Sequence, residues 1–287
     1  MKKIIIILMI TVFILSSAAA RDHKRETEIM KKEIPLRGES EVEVTLDIGL
    51  AELYIIPGEP RNIVMAVIEY DPDKIKPVIN YDEGRIGRLL IESRKKSDFG
   101  LRGLDENASV WKLGFTDRIP LDINIDFGLG EGELDFSGLK LNGMKIDAGL
   151  SDLKVIFDKP NSETIRHFNI DCGLGELTVE GLLNANFERF SYDGGLGSTE
   201  LHFTGTCKRL SEAKISVGMG SVEIFLQRNL PVKVYYESSF LASVDLEDFK
   251  KLHKGEYVSD KWEDKTDYGL ILELEVGMGA ISVEWVD

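Results

Sequence analysis

Apolar and polar positions alternate along this chain in short runs, and the alternation recurs around one small motif. Seven segments align without gaps on Gly49, Gly128, Gly149, Gly173, Gly195, Gly218 and Gly277: DIGLAELYI, DFGLGEGEL, DAGLSDLKV, DCGLGELTV, DGGLGSTEL, SVGMGSVEI and EVGMGAISV. Positions five, three and one before the glycine alternate with polar residues, as in a half-buried strand. The residue after the glycine is Leu or Met, and the next is small (Ala51, Gly130, Ser151, Gly175, Gly197, Gly220, Gly279). Beyond it the apolar positions fall four and six after, so the inward parity changes at the glycine. That change predicts a bend between two strands, with the small residue letting successive turns stack closely.

From Gly128 to Gly218 the spacings are 21, 24, 22 and 23 residues. Two short strands and a return loop therefore use about 22 residues, one coil of a solenoid, and no coil buries its apolar face without neighbours. The predicted class is all-β: a β-solenoid of stacked two-stranded coils with an N-terminal β-hairpin elaboration. Seven or eight coils would make a rod about 35 Å long. A sandwich of hairpins is the alternative all-β reading. A degenerate eighth copy, without glycine or acid, is placed at Phe240. Asp98-Phe99-Gly100-Leu101 repeats the tetrad but follows Lys95 and Lys96 where apolar residues belong, and is not counted.

Two stretches leave the repeat. Between Gly58 and Pro120 longer strands surround Asp82-Glu83-Gly84, a turn signal that predicts a hairpin on the N-terminal coil. Residues 248–267 are strongly charged and predict a surface loop, with a helix over residues 246–253. No proline- or serine-rich linker divides the chain. The expected organisation is a signal peptide at 1–20, an N-terminal region at 21–120 and solenoid repeats at 121–287, the last two continuous. A split into two domains near Arg118 is the alternative.

Met1-Lys2-Lys3, an apolar run over residues 4–15 and Ser16-Ser17-Ala18-Ala19-Ala20 before Arg21 have the order of a cleavable secretion signal. Cleavage after Ala20 predicts an extracytoplasmic product with no stable membrane span; an uncleaved N-terminal anchor is the alternative. The net charge of −15 argues against nucleic acid and anionic lipid as partners. Cys172 falls on an inward position, and a disulfide with Cys207 is possible but not implied.

With the repeats in hand, Asp47-Ile48-Gly49-Leu50-Ala51-Glu52-Leu53, then Pro57-Gly58 and the hairpin from Lys76-Pro77-Val78 to Ser93, resemble the N-terminal part of bacterial toast-rack proteins. The tail is similar to the C-terminal domain of LiaF-type cell-wall-stress regulators, in Val217-Gly218-Met219-Gly220-Ser221-Val222-Glu223, in Leu230-Pro231-Val232 and over residues 275–284. The resemblance implies an envelope protein linked to stress sensing or to an adhesin role. Unlike the LiaF type, this chain has no transmembrane helices ahead of the repeats.

Candidate chemistry is confined to the repeat. Asp126, Asp147, Asp171 and Asp193, two before the glycine, would form a ladder that could bind cations through carboxylate oxygens. The alternative is that each Asp accepts a backbone N–H in its own turn. Glu52, Glu131, Asp152 and Glu176, three after the glycine, read as a solvated outer face. The histidines show no metal-ligand spacing, and no P-loop, dinucleotide fingerprint or nucleophile elbow is present, so no cofactor or catalytic residue is assigned. The expected function is a non-enzymatic binding or scaffold module for an unknown envelope protein or glycan. A carbohydrate-active β-helix enzyme is the alternative, with Trp262, Tyr257 and Tyr268 beside Asp260, Glu263 and Asp264 as its nearest cluster. The strand over residues 281–286 ends the chain uncapped, which leaves open homo-oligomerisation or capping by the N-terminal elaboration.

Overall fold

A computed structural model describes residues 27–96, 109–238 and 242–287. The expected signal segment, the Asp98 tetrad and Phe240 lie outside the described residues. In chain order the strands are β1 (Glu28–Pro35), β2 (Glu41–Pro57), β3 (Asn62–Tyr70), β4 (Ile75–Asp82), β5 (Ile86–Lys95), β6 (Ser109–Phe115), β7 (Leu121–Asp135), β8 (Leu141–Ile156), β9 (Ile165–Glu180) and β10 (Phe187–Phe203). There follow β11 (Leu210–Val217), β12 (Ser221–Gln227), β13 (Val232–Ser238), β14 (Ser243–Leu246), β15 (Lys250–His253), β16 (Glu256–Val258), β17 (Gly269–Val276) and β18 (Ala280–Val286). All join one sheet, and its stacked strands pair in parallel register as a solenoid requires.

The parity change sets the shape of each coil. In β2 the buried residues are Val42, Val44, Leu46 and Ile48, then Ala51, Leu53 and Ile55. Gly49 and Leu50, in succession, both lie outside that set and form a corner. The coils of β7, β8, β9 and β10 repeat this, so the interior is a column of Leu, Ile, Val and Phe closed on both sides of the corner. Phenylalanines cross it from coil to coil: ring centroids lie 5.8 Å apart for Phe136 and Phe157, 5.7 Å for Phe157 and Phe168, and 5.0 Å for Phe168 and Phe190. Such pairs add to the burial of the rings themselves.

The order in space is not the order in sequence. β5 and β6 pair with the two halves of β2 and form a coil outside it. Coils of β2, β7, β8, β9, β10 and β11–β12 then follow in sequence. Next comes β17–β18, on β11 and β12, and last β13–β14, on the far side of β17 and β18. Nine coils at about 4.8 Å make a stack of about 38 Å. The C-terminal strand is therefore interior, held between β12 and β14, which corrects its expectation as an uncapped end. Burial explains the arrangement: Leu270, Leu272, Leu274, Val276, Ile281 and Val283 are all buried, whereas Val244 and Leu246 of β14 are only partly so. The poorer coil serves as the cap, as terminal repeats do.

The hairpin of β4 and β5 forms as expected. The helix over 246–253 does not. Asp248 has φ 59, which ends β14 in a turn, and Lys250–His253 pairs antiparallel with β16, which pairs with β13. The first half of this insertion is a hairpin that covers half of the last coil, and residues 259–267 form the expected loop.

One acid stabilises the N-terminal elaboration. Buried Glu39 accepts the Tyr81 hydroxyl at 2.6 Å and the backbone N–H groups of Arg37 and Gly38 at 2.8 and 2.9 Å. Burial alone would raise this carboxyl, but the hydrogen bonds from Tyr81, Gly38, Arg37 and its own N–H prevail and hold it at about 2, against 4.5 ordinarily. A depressed folded-state value stabilises above the unfolded value and is lost as pH falls through the folded one. Glu39 thus contributes fully above pH 4.5 and loses its contribution between there and about pH 2. Tyr81→Phe is expected to lower stability at pH 7 by about 1.5 kcal/mol and to shrink that acid-dependent loss. Urea melts at pH 7 and pH 3 check both.

Candidate functional site

The corner carries both rows of candidate acids. Strand register places Asp47, Asp126, Asp147, Asp171 and Asp193 opposite one another in successive coils, followed by Ser216 and Glu275. The ladder therefore carries one carboxylate per coil from Asp47 to Asp193 and is interrupted at Ser216. Lys145 Nζ donates to Asp147 Oδ2 at 2.7 Å, and Asp171 stands opposite Asp147 in the next coil. Among the described residues, Asp126 and Asp193 make no side-chain hydrogen bond, and no three His, Cys, Asp or Glu side chains group about one point for a metal ion. Partial burial, then the neighbouring Asp147 carboxyl, raise the Asp171 carboxyl. Like charges directly opposite destabilise a sheet, and removing one relieves its neighbours. Asp171→Asn is accordingly expected to raise stability slightly at pH 7, by about 0.5 kcal/mol after screening, read as a higher melting temperature, and to have no such effect at pH 3, where the carboxyl is protonated.

The second acidic row is also in register. Glu52 faces Glu131, Glu131 faces Asp152, and Asp152 Oδ1 accepts the backbone N–H of Glu176 at 3.0 Å. Between the rows run the Leu and Met residues that follow each glycine, and these point outward. Leu150, Leu174, Leu196, Met219 and Met278 are 53%, 43%, 49%, 51% and 55% exposed. Leu150 pairs with Leu174 and Leu174 with Leu196; the N–H groups of Met219 and Met278 bond the corner glycine carbonyls of the preceding coils. The column was legible from the repeat, but its outward direction emerges only because two successive residues face out at the bend.

Beneath the corner, Gly194 stands where other coils carry an inward side chain, and Tyr192 occupies the space. Its hydroxyl and that of Thr199 lie 2.5 Å apart. Cys172 is buried beside them, and neither it nor the part-buried Cys207 is in a disulfide; burial pushes the Cys172 thiol up to about 11. A thiol so held stays protonated and serves as packing. The aromatic cluster near residue 260 does not converge: Tyr257 stacks on Tyr236 at 5.5 Å, Asp260 pairs with Lys250 at 2.8 Å, and Tyr268 is exposed.

The description "N-terminal domain of toast_rack, DUF2154" matches residues 21–180, more than half of the 287. The chain belongs to this toast_rack family. Among solved structures, the toast_rack chain is similar to a "putative cell adhesion protein" from Clostridium sporogenes, at 18% identity and TM-score 0.50, over 91% of this chain and 100% of that one. A "putative adhesin" from Bacteroides fragilis gives 10% identity and TM-score 0.38, over 91% and 99%. A "putative lipid binding protein" from Parabacteroides distasonis gives 13% and 0.36, over 92% and 98%. No curated protein matches the chain. The first likeness concerns the fold, and it agrees with the all-β stack described above. No helix among the described residues is long and apolar enough to cross a membrane.

Proposed function

We propose that this toast_rack chain is an exported, non-catalytic binding module of the cell envelope, and that its working surface is the corner row. The observation that carries this reading is the run of outward Leu and Met, one per coil, on a solenoid that has no packing need for them there. An isolated exposed Leu requires no explanation, but a contiguous apolar strip marks a contact surface. The leader-like residues 1–20 support a location outside the cytoplasm. Regions 21–120 and 121–287 act together in this reading, because β2 and β7 pair from Val42 to Ile55. Adhesion, the use named for the Clostridium sporogenes structure, and stress sensing would both employ such a surface, holding an envelope protein or glycan without transforming it.

The test is co-sedimentation of the purified chain with washed envelope material from the source cells, for the wild type and for Leu174→Ser combined with Leu196→Ser. Both positions are about half exposed, so the variant is expected to melt like the wild type and to sediment at least tenfold less. Equal sedimentation of the two proteins, or none of the wild type, overturns the reading.

A further inference from the structure

The chemistry on either side of the corner row narrows the partner, provided that the row is the working surface as argued above. We infer that it docks a protein segment whose apolar stripe is bordered on both sides by Lys or Arg, most simply a basic amphipathic helix. From Leu150 to Met278 the row crosses four coil spacings, about 19 Å. One carboxylate row lies three residues before it in the strand (Asp126, Asp147, Asp171, Asp193) and the other two residues after it (Glu131, Asp152, Glu176). An apolar strip between two anionic rows is complementary to an apolar strip between two cationic ones.

The same charges count against other occupants. A second copy laid row to row would set carboxylates against carboxylates, and an anionic lipid surface would be repelled in the same way. A helix fits the spacing. It offers one apolar position per 5.4 Å turn against about 4.8 Å per coil, a drift of about 0.6 Å per step. About 13 residues cover the row, and a body about 10–12 Å wide leaves lysine stems free to lie along the apolar strip and reach the acids on either flank. The charge is graded: beside Met219 and Met278 the flanks are Ser216, Glu275, Ser221 and Ala280, so the basic part of the partner belongs over β8 to β10. Methionine at the other end adapts to a less defined apolar contact.

The probe is an 18-residue Leu/Lys helix with its leucines on one stripe, titrated into the full chain by fluorescence anisotropy at low and moderate salt. A composition-matched scramble without the stripe and a Leu/Glu counterpart serve as controls. The striped Leu/Lys peptide is expected to bind at least tenfold more tightly than the scramble, and more weakly as salt rises. Leu174→Ser with Leu196→Ser should cost tenfold or more, and Asp152→Asn with Glu176→Gln should weaken binding and flatten its salt dependence. Equal binding of the scramble, equal binding of the Leu/Glu peptide, or indifference to the leucine variant overturns the inference. So does leucine-dependent dimerisation of the chain alone, or leucine-dependent binding to phosphatidylglycerol vesicles. If no peptide binds while the leucine variant still loses envelope co-sedimentation, the basic partner falls and the binding-module reading stands; if both fail, both fall.

Discussion

Gly175→Ala is expected to lower stability by about 3–5 kcal/mol, while Gly38→Ala leaves the melting temperature unchanged. Gly175 has φ +130, and a Cβ there would lie 2.8 Å from the Ser151 carbonyl carbon and closer still to its oxygen. Both atoms are backbone of the preceding coil, so no rotamer change relieves the contact. The coils would have to separate, and the parallel pairing of β8 with β9 on both sides of the corner would loosen with them. Gly38 has ordinary φ and nothing within 4 Å of its would-be Cβ, so its replacement tests whether the loss is specific to the corner. For a chain of this size a few kcal/mol corresponds to a fall in melting temperature of about 10 °C. Thermal and urea melts decide it, and a Gly175→Ala protein within two degrees or so of the wild type would sink the argument that corner approach limits this fold.

That prediction marks what the sequence could and could not reveal. Small residues two after each glycine identify the close approach, but Gly130, Gly175 and Gly197 have positive φ while Ala51 and Ser151 in the same column do not. One column thus hides two backbone conformations. The repeat likewise identified the coils and not their order. Neighbours in sequence are usually neighbours in space, yet β17–β18 inserts ahead of β13–β14, because the fully apolar coil gains more from an interior place than the one ending in Ser243-Val244-Asp245-Leu246. The outermost N-terminal coil escaped the repeat search for another reason: its halves, β5 and β6, are separated by residues 96–108, and the Asp98 tetrad in that interval was set aside because Lys95 and Lys96 precede it. The expected helix over 246–253 arose from local composition, which a turn at Asp248 and pairing with β16 override.

Asn161→Ala is the second substitution expected to be severe, at about 3 kcal/mol, and nothing in the repeat drew attention to it. Asn161 lies in the return loop between β8 and β9 and is 2% exposed. Its Nδ2 donates to the carbonyls of Leu141 and Ala185 at 2.7 and 3.1 Å, and its Oδ1 accepts the N–H groups of Leu141 and Glu163, both at 3.1 Å. One amide therefore joins three successive coils at the side opposite the corner, where the chain has no strand partner for those groups. Alanine leaves buried backbone donors and acceptors unpaired, each costing about 1–3 kcal/mol less whatever water recovers. Asn161→Asp separates this account from a packing effect, because it keeps the shape and the acceptor but loses the donor. Its carboxylate would face the Leu141 and Ala185 carbonyls, so burial and those oxygens should raise its folded-state value above the unfolded one. A raised acid costs stability above its folded value and recovers it as protonation restores a donor. Relative to wild type, Asn161→Asp should thus be least stable at pH 7 and regain stability towards pH 4, the opposite of the Glu39-dependent trend in the parent chain. A pH-independent deficit equal to that of alanine would show that volume, and not the amide's four hydrogen bonds, holds the return loops together.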